Sequence, residues 1–307
     1  MVGLCGAIAF PITPFDRNGD VDLAGVRVNA EMLASSGVCS IVAPSGTGEL
    51  FSLTQAEIAT IVTATVQAVA GRKPVIASVG MGPRVGAELA AAAEASGADA
   101  VLVLPPYYQQ PDPDGLLAYY LAIARATSLP IIPYARDSAQ FSPELVVRLA
   151  REAPNFVAFK DGRGDVRTFM RIREHAIGQL GAERLLWLAG TGDDLLAPYV
   201  AAGAQGFTSS IACFWPEVAC RLWECAVSDT DAYAELYARA VQPFYAMRAR
   251  RRGYEVAVMK AAMDALGYAA GPPRAPLVEV TPAERGEIAA LVAALEIPSL
   301  SARLAVA

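Results

Sequence analysis

Lys160 ends an apolar run, Phe156-Val157-Ala158-Phe159, and a turn of Asp161-Gly162-Arg163-Gly164 follows at once. A lysine at the inner end of a strand gives up hydration of its ammonium, and burial lowers its pKa from the free value of roughly 10.4. The larger neutral fraction makes it an amine nucleophile, and with a carbonyl substrate its product is a Schiff base. A lysine that snorkels out of a strand end into solvent has the same local sequence. Tyr134 ends the preceding apolar run. From the neighbouring strand its phenol could reach an imine carbon and shuttle protons. Arg136 could hold an anionic group bidentately or simply pair with Asp137. The turn Ser45-Gly46-Thr47-Gly48-Glu49 offers backbone N–H groups and hydroxyls, a nest suited to a carboxylate. In Thr208-Ser209-Ser210, Ser209 and Ser210 are candidate partners of substrate hydroxyls, while Asp161 and Asp165 read as loop and helix-cap residues.

These residues need a frame that brings them together. Short apolar runs at 4–10, 40–43, 74–79, 100–104, 130–134, 156–160, 185–189 and 206–210 alternate with longer stretches of helical periodicity. The runs are continuous rather than alternating, as in parallel strands covered on both faces. Eight such runs with eight helical partners predict an α/β fold, a (β/α)₈ TIM barrel. A doubly wound open sheet is the alternative. Glycines at 37, 97 and 203 stand where helix C-caps belong. Thr54 with Glu57, and Ser142 with Pro143, mark helix starts. Residues 1–215 are assigned to the barrel and 216–307 to a C-terminal helical extension packed on it. Catalytic groups of a barrel sit at the carboxyl ends of its strands, and every candidate above lies at such an end.

Composition narrows the chemistry. The chain has 307 residues, 54% hydrophobic and 18% charged, enough for one large core. The longest uncharged apolar patch, 116–124, is far short of the ~18 residues of a membrane span. Residues 1–10 lack the basic start and long apolar centre of a signal peptide. Five cysteines without ligand spacing fit a reduced, cytoplasmic protein with small buried thiols. A single histidine, His175, on a charged helix face argues against histidine triads and metal sites. The net charge of −6 argues against a nucleic-acid surface. The basic run Arg248, Arg250, Arg251 and Arg252 is assigned to a solvated helix end or subunit contact.

The motifs together resemble a known family. Phe10-Pro11-Ile12-Thr13-Pro14-Phe15, Gly46-Thr47-Gly48-Glu49 with Ser52-Leu53-Thr54, Pro106-Tyr107-Tyr108, Tyr134 and Lys160 occur in the order and spacing of the dihydrodipicolinate synthase/N-acetylneuraminate lyase family. The resemblance covers nearly the whole chain. It implies a barrel with C-terminal helices, a tetramer built as a dimer of dimers, and Schiff-base chemistry on α-keto acids. By it Lys160 forms the imine and Tyr134 shuttles the proton. Thr47 and Tyr108 continue a hydroxyl relay, with Tyr108 reaching into the neighbouring subunit, and the backbone around Gly46 and Thr47 grips the α-carboxylate.

Departures point to a subgroup. Gly46 stands where the synthases carry a first threonine, and Ala135-Arg136-Asp137 stands where synthases and lyases have Asn-x-Pro. The strings Phe159-Lys160-Asp161-Gly162-x-Gly164-Asp165, Tyr134-x-Arg136-Asp137 and Thr208-Ser209-Ser210 are similar to those of 5-dehydro-4-deoxyglucarate dehydratases, although Ala135 replaces an Asn frequent in that group. That likeness implies a keto sugar diacid as substrate, loss of water and CO₂, and no metal, flavin or pyridoxal cofactor. Arg136, helped by Ser209, is the expected partner of the distal carboxylate. An aldolase or synthase acting on pyruvate, and a non-catalytic keto-acid sensor, are the competing readings.

Overall fold

Each apolar run forms a strand, because a run without polar interruption can be covered on both faces, as parallel strands of a buried sheet are. The computed structural model describes residues 3–304; Met1 and Val2, at the start of the segment read against a leader, and 305–307, at the end of the extension, lie outside them. The strands are β1 (Gly6–Ala9), β2 (Ser40–Val42), β3 (Val75–Met81), β4 (Ala100–Pro106), β5 (Ile131–Ala135), β6 (Ala158–Asp161), β7 (Leu186–Ala189) and β8 (Gly206–Ser209). They close in chain order into a parallel barrel, β8 pairing with β1. The fold is a (β/α)₈ TIM barrel.

The helices between strands are α1 (Leu23–Ala34), α2 (Gln55–Val69), α3 (Pro83–Ala95), α4 (Pro113–Ala124), α5 (Pro143–Glu152), α6 (Val166–Leu180) and α7 (Leu196–Ala201). Their ends follow the sequence signals. Thr54 and Glu57 form a complete capping box on α2, and Ser142 caps α5 with Pro143 in its first turn. Gly97 and Gly203 take the left-handed φ of a C-cap turn, at 83° and 89°. Gly37 does not; there the constraint is space, since a Cβ would stand 3.2 Å from the Cys220 Sγ.

Strand alternation divides the interior into two layers. Leu4, Ile8, Phe10, Ile132, Ala158 and Leu188 point into the barrel. Residues of the other parity pack outward against the helices, where Phe159 meets Trp187 edge-on and Phe207 stacks on Trp223. Burying each such large side chain contributes about 1.5–3 kcal/mol.

After β8, α8 (Pro216–Ser228) lies against β1 and β8. Then come α9 (Thr230–Leu236), a π-helical turn over Tyr237–Val241, α10 (Gln242–Arg248), α11 (Tyr254–Ala265), α12 (Pro282–Ala294) and α13 (Leu300–Leu304). Pro243, in the first turn of α10, has no N–H to continue the preceding ladder. Helix α11 carries Lys260, which is buried and paired at 2.7 Å with Glu49 in the turn after β2. The backbone N–H of Arg274 donates to the same carboxylate at 2.8 Å. Among the described helices none is long and apolar enough to cross a membrane. The expectation of uniformly buried thiols needs correcting: Cys213 and Cys225 are buried, but Cys5 is exposed and Cys39 and Cys220 are half-buried.

Candidate active site

The carboxyl ends of the strands open into a cavity of about 900 Å³. Tyr134 on β5 and Lys160 on β6 are register partners, so both take the inward parity at the floor of that cavity. The Lys160 Nζ lies 3.2 Å from the centroid of the Tyr134 ring and 5.0 Å from that of Phe10.

Two lysines are buried, and their surroundings are opposite. Lys260 is matched by Glu49, whereas Lys160, 2% exposed, forms no ion pair among the described residues. A charge in that position has lost its water without gaining a counter-ion. Burial therefore drives the Lys160 pKa well below the usual lysine range, and the Arg136 charge pushes in the same direction against a weaker pull from Asp161. The amine thus faces an open cavity with its pKa pulled well below the usual lysine range, which enlarges its neutral, nucleophilic fraction.

The Tyr134 hydroxyl donates to the Gly190 carbonyl at 3.0 Å and accepts from Arg136 Nη1 at 3.1 Å. Burial raises its pKa, and the guanidinium of Arg136 opposes the rise. The phenol is thus a proton donor at rest, with a cation in place to hold the phenolate once the proton has gone. Two glycines make room for the pair. A Cβ on Gly162 would collide with the Tyr134 ring, and one on Gly190 would stand 2.8 Å from Lys160 Cγ.

The turn after β2 keeps its donors free. Among the described residues, the backbone N–H groups of Ser45, Gly46 and Thr47 donate to no protein acceptor, and all three residues line the cavity. The turn is held from behind, since Glu49 takes a left-handed φ of 56° and its carboxylate is fixed by Lys260 and Arg274. An anion seated against these N–H groups would meet a cradle that needs no rearrangement.

Most residues singled out in the sequence meet here. Ser45, Gly46, Thr47, Tyr108, Tyr134, Arg136, Lys160 and Ser210 all line the cavity. Among the described residues the hydroxyl relay is not assembled within one chain: the partners of Tyr134 are Gly190 and Arg136, not Thr47, and Tyr108 is 82% exposed at the rim. Ser209 is a correction. It takes the outward parity of β8, its hydroxyl donates to Asp193 and accepts from the Ala212 N–H, and it does not line the cavity. Asp161 is a second correction. It is not a loop residue but the buried last residue of β6, facing outward to accept from the Tyr199 hydroxyl at 2.5 Å. Asp165 does cap α6.

Arg248 is a third correction. It is not a free, solvated helix end, because its side chain reaches back from α10 to the cavity wall. Its Nη1 donates to Ser210 Oγ at 2.9 Å and its guanidinium lies 4.2 Å from the centroid of the Tyr245 ring. Asp193, at the end of the Gly190-Thr191-Gly192-Asp193 string after β7, and Tyr245 stand behind this wall. Asp193, fully buried after β7, accepts from Ser209, from the Ser210 N–H and hydroxyl, and from the Tyr245 hydroxyl. Strand alternation was the available signal for Ser209 and Asp161; nothing local announces a contact between α10 and β8.

The sequence profile of the dihydrodipicolinate synthetase family matches residues 3–295. The chain belongs to that family. Two curated relatives named probable 5-dehydro-4-deoxyglucarate dehydratase are similar over nearly the whole chain. The one from Methylobacterium radiotolerans is 41% identical over 94% of this chain and 94% of its own. The one from Ralstonia nicotianae is 40% identical over 94% and 92%. Among solved structures, dihydrodipicolinate synthase from Oceanobacillus iheyensis superposes with a TM-score of 0.89 at 27% identity, covering 96% of this chain and 97% of the other. The synthase from Bacillus clausii gives 0.88 at 29% identity, covering 96% and 98%. Sequence likeness is thus greater to proteins named as dehydratases than to these family synthases, which agrees with the departures at Gly46 and Ala135-Arg136-Asp137.

Proposed function

We propose that this protein is a decarboxylating dehydratase, converting 5-dehydro-4-deoxy-D-glucarate to 2,5-dioxopentanoate, water and CO₂ through a Schiff base on Lys160. The observation that carries the reading is the buried, unpaired Lys160 amine against the Tyr134 phenol in an open cavity. The names of the similar proteins support the choice of substrate.

In this reaction Lys160 attacks the C5 ketone, with the adjacent carboxylate in the Ser45–Thr47 cradle. Tyr134 gives its proton to the carbinolamine oxygen, which leaves as water, and Arg136 holds the phenolate. The phenolate removes a proton from C4, now acidified by the iminium. The enamine expels the C3 hydroxyl, which leaves as water with the proton Tyr134 took from C4, leaving a C3=C4 bond conjugated to the iminium. The C1–C2 bond then breaks toward the same electron sink, releasing CO₂ and an enol at C2. Tautomerisation gives the aldehyde, and hydrolysis frees Lys160. Each substrate molecule yields one CO₂, one net water and one five-carbon oxo acid.

The test is product analysis with purified enzyme and 5-dehydro-4-deoxyglucarate. One CO₂ per substrate with an aldehyde product supports the proposal. Release of pyruvate without CO₂ would identify an aldolase instead, and absence of any turnover would support the sensor reading.

A further inference from the structure

We infer that Arg248, delivered by α10, is the residue that recognises the substrate's second carboxylate and thereby makes the site selective for keto diacids. The inference rests on the proposed keto-diacid reading and deepens it.

The cavity has two arginines, and only one is free to bind. Arg136 is committed to the Tyr134 hydroxyl and lies 3.6 Å from the Asp137 carboxylate. A substrate carboxylate there would compete with the phenolate that Arg136 is placed to hold. Arg248 has no carboxylate within ion-pair distance among the described residues, and it stands in the cavity wall at the end of β8. The first carboxylate has its own cradle at the end of β2, so the two anion positions rise from different strands of the rim.

Arg248 is also held for this task. Its guanidinium stacks on Tyr245 and gives one N–H to Ser210. The Tyr245 hydroxyl donates to Asp193 Oδ2 at 3.0 Å and accepts from the Asp193 N–H at 2.7 Å, and Asp193 also accepts from Ser210. The hydrogen bonds therefore form a circuit from β7 through β8 to α10, in which Asp193 reaches Arg248 only through Ser210 and Tyr245. Such a circuit fixes the plane of the guanidinium and leaves its remaining N–H groups for a ligand. A single oriented contact suits a carboxylate that must later leave as CO₂. It sets the direction of the C1–C2 bond relative to the conjugated iminium without enclosing the anion.

The experiment compares two six-carbon 2-oxo acids that differ only in the far end, 2-oxohexanedioate and 2-oxohexanoate, binding to the full chain by calorimetry. Wild type is expected to prefer the diacid by about 10–100-fold, the range of a charge-assisted hydrogen bond. Arg248→Met is expected to bring the two to within about threefold by weakening the diacid alone, and Arg248→Lys to fall between. Should Arg248→Met fail to bind the monoacid, Arg248→Gln carries the same comparison with an uncharged hydrogen-bonding side chain. A preference that survives in these variants, an equal loss for both acids, or no diacid preference in wild type overturns the inference. Borohydride reduction of the same mixtures reports separately on the imine, so failure of the Schiff-base reading and failure of Arg248 as the selective group give different results.

Discussion

At the scale of single residues, the decisive contrast is between two buried lysines, one answered by a carboxylate and one not. Because the folded pKa of Lys160 is depressed, the unfolded chain binds more protons than the folded one between that pKa and the free value of roughly 10.4. Stability contributed at this position therefore rises with pH through that window. Lys160→Met should raise the melting temperature near neutral pH, with the gain shrinking toward about pH 10, as a pH series of thermal melts would show; an unchanged or lower melting temperature would mean that Lys160 is not folded in its neutral form. Tyr134→Phe removes the proton donor but not the amine. It should lower kcat by about 10²–10⁴-fold and slow imine formation without abolishing it, and stopped assays with mass detection separate the two effects. Lys160 and Tyr134 were legible in the sequence because each closes an apolar run that becomes a strand. Ser209 lies next to cavity residues in sequence but faces Asp193, because strand parity turns alternate residues away from the cavity.

At the scale of elements, the loops after β6 and β7 work mainly by being small. Gly162 and Gly190 leave the volume that Tyr134 and Lys160 occupy. Gly162→Ala should keep the barrel folded but displace the Tyr134 ring from Gly190 and Arg136, lowering kcat by about 10²-fold, the cost of a misplacement near 1 Å. Retained activity in this variant, with an unchanged circular dichroism spectrum, would show that the phenol need not stand where it does. The Gly-rich turn after Lys160 was visible in the sequence, but its purpose was not, since the ring that Gly162 accommodates comes from the preceding strand. The strands themselves were legible to within about two residues at each end, because parallel barrel strands leave uninterrupted apolar runs.

At the scale of the whole molecule, the helices after β8 are part of the site. Helix α10 brings Arg248 to the cavity wall with Tyr245 stacked behind it, and α11 brings Lys260 under the turn that carries the free N–H groups. Arg274 and Lys260 reach Glu49 across more than two hundred positions, and Arg248 reaches Ser210 from a helix in another part of the chain; no local pattern encodes either contact. Lys260→Met leaves the Glu49 charge buried without its partner and should cost about 3–5 kcal/mol. The double change with Glu49→Gln should recover part of that loss in denaturant titrations, while leaving the carboxylate cradle less ordered and the KM for keto acids raised. A single variant as stable as wild type would contradict the view that this ion pair fastens the extension to the barrel.

The central claim is that Lys160 is the amine that captures the substrate ketone. Reduction with borohydride in the presence of a 2-oxo acid, followed by peptide mass mapping, tests it most directly. The expected result is one stable adduct, on Lys160, absent from Lys160→Met; no adduct, or one on another lysine, would contradict the account.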